Sequence, residues 1–165
     1  MADADIDLLR ARIATTSPVV PVRSLPAVAL GAVGDAASIA PPLARLTVEQ
    51  ARLVAGLTSG GLVVITPWRG LVLPGAAGRL KTLQRAGFVV DDDSPWSQLS
   101  ACVGAPFCGK ARIDTTEVAE ALVAEGRPLP RTHLSGCERR CGAPAVDHVD
   151  LVAPTVAEAA AAARP

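Results

Sequence analysis

A chain of 165 residues, half of them apolar but with only two Phe, two Trp and no Tyr, can form one domain or two small ones and must build its core from Val, Leu, Ile and Ala. Sixteen basic and sixteen acidic residues cancel, which removes the electrostatic footprint of a nucleic-acid binder. No apolar run approaches the roughly 20 residues that span a bilayer, and the N-terminus, acidic before it is basic, is no secretory signal. A cytoplasmic chain without nucleic-acid or membrane partners is expected.

Residues 1–26 read as a linker or flexible N-terminal segment. A short helix is expected around Ile6 to Ile13, followed by "TTSPVVPVRSLP", whose prolines favour extended backbone. From Ala27 the pattern sharpens. "AVALGAV" (27–33) has strand length, and "GDAASIAPPLARL" follows it as a loop. Thr47 with Gln50 makes a capping box for a helix whose stripe is Leu53, Val54 and Leu57, stopped by Gly60-Gly61. "LVVIT" (62–66) and "LVL" (71–73) read as neighbouring strands around a turn from Pro67 to Gly70. A helix over 75–87 turns Leu80 and Leu83 inward and ends at Gly87, and "FVV" (88–90) closes the unit before the acidic turn 91–95. The order β-α-β-β-α-β is the ferredoxin-like arrangement, a fold name that does not itself imply a cluster.

A second region starts near Trp96. Asp114, with Glu117 in the box position, caps a helix burying Val118, Ala121 and Leu122 and ending at Gly126. "RTHLS" (131–135) alternates like a strand, "HVDLVA" (148–153) is another, and an Ala-rich helical tail follows. His133 is read first as a hydrogen-bonded strand histidine and second as a group beside a cofactor.

All four cysteines fall in this region, in two short pairs on Gly/Pro-rich loops beside strand ends: Cys102 and Cys108 in "ACVGAPFCGK", Cys137 and Cys141 in "SGCERRCGAP". In a reducing compartment such clustering favours metal or catalytic chemistry over disulfides. Redox dithiols prefer C-x-x-C, which is absent. Three readings stand side by side: buried structural thiols, a Cys₄ zinc site, and an iron–sulfur cluster, which accepts varied spacings because each cysteine binds a different iron. Lys110, Arg112, Arg139 and Arg140 are close in sequence and suit an anionic centre of either metal kind.

"ACVGAPFCGKARIDT" followed by "HLSGCERRCGAP" resembles the cluster signature of the sulfite and nitrite reductase haemoprotein family. "PPLARLTVEQ", "VVITPWRGLVLPG" and "DDDSPW" are most similar to its precorrin-3B synthase branch, in cobalamin biosynthesis. The resemblance implies an α+β chain: a ferredoxin-like half-domain over residues 27–95, then an α/β cluster domain over 96–165. It implies that Cys102, Cys108, Cys137 and Cys141 hold a [4Fe–4S] cluster, with sirohaem a second cofactor in the reductases. In the precorrin branch a tetrapyrrole is substrate, and precorrin-3A is converted to precorrin-3B with dioxygen. Arg69, Arg139 and Arg140 are then candidates for its carboxylates, with exposed loop arginines as the alternative. Trp68 is either a lid over the macrocycle or core. The resemblance also implies two related halves, of which the chain shows one, so a second polypeptide or self-association is expected to complete an enzyme. A non-catalytic electron-transfer module is the alternative from another class.

Overall fold

The computed structural model describes residues 27–58 and 61–163. The linker and helix expected within residues 1–26, and Gly60, lie outside them. Among the described residues no helix is long and apolar enough to cross a membrane.

Two sheets form, each with its own core. The first is antiparallel, in the order β1-β2-β4-β3: β1 (Gly31–Val33), β2 (Ala36–Ile39), β3 (Val64–Ile65) and β4 (Leu71–Leu73). Helix α1 (Val48–Leu57) and the shorter α2 (Leu80–Arg85), which follows a 3-10 turn at Ala77–Arg79, complete the unit. Alternation along β2 and β4 places Ala37, Ile39, Leu71 and Leu73 in the core with Val54, Leu83 and Phe88. Thr47 caps α1 with the expected box to Gln50, and the Gln50 amide also donates to the Ala86 carbonyl, 3.0 Å away, so one residue fastens two helices.

The central strand is displaced from its expected place. Residues 27–30 are not strand, β1 is a three-residue edge, and β2 lies inside what reads as a loop. The sequence AASI is small and polar enough to hide its one-sided pattern, and the turn at Gly34-Asp35 makes it a hairpin partner of β1. The closing segment 88–90 contributes a single bridge, Ala40 to Val89, on the same side of β2. With β2 as first strand, the ferredoxin-like order and antiparallel pairing hold.

The second sheet is parallel, in the order β5-β6-β7: β5 (Leu99–Ala101), β6 (Thr132–Ser135) and β7 (Val149–Val152). Helices α3 (Thr115–Ala124) and α4 (Val156–Ala162) cover one face, where Leu99, Leu134, Val118, Ala119, Leu122 and Ala159 form the core. Three details differ from expectation. Asp114 caps α3 by accepting from the Thr116 N–H at 2.8 Å, without a reciprocal bond from Glu117. Ala119 rather than Ala121 is fully buried. Strand β6 is buried at all four residues, because a central parallel strand is covered on both faces.

Candidate metal centre

Parallel pairing decides where the cysteines go. β5 and β6 run side by side in the register Leu99–Thr132, Ser100–His133, Ala101–Leu134, so the loops leaving their C-terminal ends emerge together. Cys102 follows β5 directly and Cys137 follows β6 after Gly136. The Cys102 N–H donates to the Leu134 carbonyl at 3.0 Å, and the Arg112 N–H to the Gly136 carbonyl at 2.8 Å. The Gly136 N–H points at the Cys102 sulfur, 3.1 Å away. An Arg112–Glu138 ion pair of 2.8 Å closes the loops from the solvent side.

Two glycines make this approach sterically accessible. A Cβ on Gly136 would stand 2.7 Å from the Ala111 Cβ. One on Gly104, whose φ is +66°, would stand 2.5 Å from the Thr115 hydroxyl, which itself donates to the Cys102 carbonyl at 2.9 Å. All four cysteines are free; Cys102, Cys108 and Cys137 are half-buried and Cys141 is exposed. Among the described residues no group of three or more His, Cys, Asp or Glu is placed to hold one metal ion. Two apposed loops carry the four thiols, with a backbone N–H on the Cys102 sulfur, a donor set that suits either a zinc ion or an iron–sulfur cluster.

Behind the loops lies the other face of the parallel sheet. Ser100, His133 and Asp150 stand in register across its three strands. His133 is fully buried, its Nδ1 lies 2.9 Å from the Ser100 hydroxyl, and its ring meets His148 edge-on at 6.0 Å. Burial pushes its pKa below the ordinary value, only partly opposed by the Asp150 carboxylate. Among the described residues His133 Nε2, Ser135 Oγ and Asp150 Oδ1 are buried without a hydrogen-bond partner. The Cys141 carbonyl nears the ring and favours its charged form without meeting hydrogen-bond geometry.

The candidate arginines part company. Arg140, at φ +48°, pairs with Asp150 at 2.8 Å. Arg139 is exposed on the second cysteine loop. Arg69, at φ +64° in the β3–β4 hairpin, reaches across to the Gly142 carbonyl at 3.3 Å. Arg69 also lines a cleft of about 590 Å³ between the two sheets, with Trp68, Trp96, Arg131 and the Pro41–Ala44 segment; Arg139 and Arg140 do not line it. Both tryptophans of the chain therefore border one cavity, Trp96 also packing against the second core. Arg131 and the bridging Arg45, whose contacts span 57 residues and more, carry no local sequence signal and escape a reading by motif.

No family model matches the chain. In an alignment of 107 positions that covers 57% of the chain, it is 34% identical to the chloroplastic ferredoxin–nitrite reductase of Arabidopsis thaliana, and in one of 117 positions that covers 61%, 28% identical to that of Spinacia oleracea. It spans only 18% and 20% of those relatives. The fold matches the NirA protein of Mycobacterium tuberculosis with a TM-score of 0.53 at 21% identity, covering 74% of this chain and 26% of that one. The mixed fold of antiparallel and parallel sheets is thus that of a portion of a NirA-type protein, and the sequence is similar to nitrite reductases.

Proposed function

We propose that the chain is the cluster-bearing portion of an oxidoreductase of the nitrite/sulfite reductase type, with Cys102, Cys108, Cys137 and Cys141 as the ligands of one [4Fe–4S] cluster. The observation that carries this is the in-register parallel pairing of β5 and β6, which brings both cysteine loops to one sheet end with the Gly136 N–H on the Cys102 sulfur. When bound, the cluster would supply one-electron transfer. The protein's part is to fix the thiolates, tune them with backbone N–H groups and shield them with loops.

Within this type, the "TPWRG" hairpin supports the precorrin-3B synthase branch, acting on precorrin-3A with dioxygen. Trp68 and Arg69 border the inter-sheet cleft, where an aromatic plane and a guanidinium suit a flat polycarboxylate. Arg139 and Arg140 would serve at the cleft only after a loop movement, Arg140 by releasing Asp150. The similarity to ferredoxin–nitrite reductases favours a second reading, a sirohaem-dependent reductase of nitrite or sulfite. A non-catalytic electron-transfer module is the third. A second polypeptide or another copy of the chain is part of the proposal, since β3 is a sheet edge on which Ile65 is 79% exposed beside Leu62 and Val64. Purification without air, followed by incubation with precorrin-3A and dioxygen or with sirohaem and nitrite, separates the readings. Conversion of precorrin-3A supports the first, nitrite turnover the second, and a cluster without either reaction the third.

A further inference from the structure

We infer that Arg45 is the positioning residue of the first cysteine loop, through which the antiparallel unit sets the ligand geometry of the parallel one; this rests on the reading of the cysteines as cluster ligands. The segment from Pro41 to Arg45 leaves β2 and crosses between the sheets. Leu43 and Ala44 both adopt left-handed backbone, at φ 52° and 59°, a strained conformation for two successive residues with side chains. The contacts that hold it point to the cysteine loop. Leu43 packs against the core of the parallel unit. Arg45 then donates to the carbonyls of Cys102 at 2.9 Å and Val103 at 2.6 Å, and contacts the hydroxyls of Thr115 and Thr116 at the start of α3.

Cys102 is consequently held at every polar atom: its N–H by Leu134, its carbonyl by Arg45 and Thr115, its sulfur by Gly136. Nη2 alone contacts both carbonyls and the Thr115 hydroxyl, while Nη1 contacts the Thr116 hydroxyl, so the guanidinium ties the cysteine loop to the start of α3, and Lys would keep one donor but lose the second nitrogen. No carboxylate among the described residues pairs with Arg45. Its charge, answered only by carbonyl and hydroxyl dipoles, favours the more negative, reduced form of a neighbouring cluster. The same segment walls the inter-sheet cleft, so cleft and cysteine loop share one structural support.

The test uses the full chain and its R45A and R45K variants. In the metal-free chains, iodoacetamide labelling is followed at Cys102 and Cys137 by peptide mass spectrometry. R45A is expected to label Cys102 at least about tenfold faster than wild type with Cys137 little changed, a local opening rather than a global one. R45K, which keeps one donor for the carbonyls and loses the Nη1 contact to Thr116, is expected to label Cys102 at a rate between the two. In anaerobically reconstituted protein the midpoint potential should fall in R45A and return towards wild type in R45K, which keeps the charge. Unchanged Cys102 labelling in R45A, or equal acceleration at both cysteines, overturns the inference. Wild-type protein that binds no iron overturns the cluster reading instead, while the labelling still decides whether Arg45 holds the loop.

Discussion

Gly104 and Gly136 are the residues on which the two loops turn, and neither has room for a side chain. Gly104→Ala adds a methyl 2.5 Å from the Thr115 hydroxyl at a φ of +66°, so it combines overpacking, typically about 1–3 kcal/mol, with backbone strain. Urea unfolding should show a loss in that range, and an unchanged midpoint would mean that the loop geometry is wrong. Two serines on the polar face of the parallel sheet make a sharper pair. Ser100 hydrogen-bonds His133, whereas the buried Ser135 hydroxyl has no partner among the described residues. Ser100→Ala should therefore cost about 1 kcal/mol, while Ser135→Ala should be neutral or stabilising. Equal losses in the two variants would show that Ser135 is also bonded. The pairing of the cysteines on glycine-rich loops was legible in the sequence because each pair is a short local motif. The roles of Arg45, Ser100 and Asp150 were not, since each depends on a strand register or a distant carbonyl.

At the scale of elements, capping and burial separate what the sequence reveals from what it hides. Thr47 and Gln50 stand three apart and form the expected box. Thr47→Ala should destabilise the chain by about 1 kcal/mol in chemical denaturation, and no loss would contradict the cap. The central strand β2 was hidden because Ala37 and Ile39 are its only inward residues and two prolines follow at once. β6 was legible as a strand but not as a central one, because Thr132, His133 and Ser135 look like residues of a half-exposed strand. Its Leu134 is fully buried between α3, α4 and β5. Leu134→Ala should cost about 2–5 kcal/mol, read from the same unfolding curves, and a loss below 1 kcal/mol would mean that the second core is misassigned.

For the whole molecule, the antiparallel unit braces a parallel unit whose strand ends present four thiols. Arg45, Arg69 and Leu43 make the brace, and Leu43 and Arg69 also line the cleft. The exposed β3 edge with Leu62, Val64 and Ile65 leads to an expectation about assembly. Light scattering on the purified chain should show self-association that Ile65→Lys abolishes, since a charge on an open edge blocks pairing. A wild-type chain that stays monomeric and binds no second polypeptide would show that the β3 edge is not an interface. Whether the four cysteines form one site is read most directly from iron and acid-labile sulfide in anaerobically purified protein and its four single Cys→Ala variants. Wild-type protein should carry ~4 iron and ~4 sulfide and a brown chromophore, with a joint loss of both elements in each of the variants at Cys102, Cys108, Cys137 and Cys141. A colourless protein containing zinc, or four variants that all retain full iron and sulfide, would contradict a single cluster site.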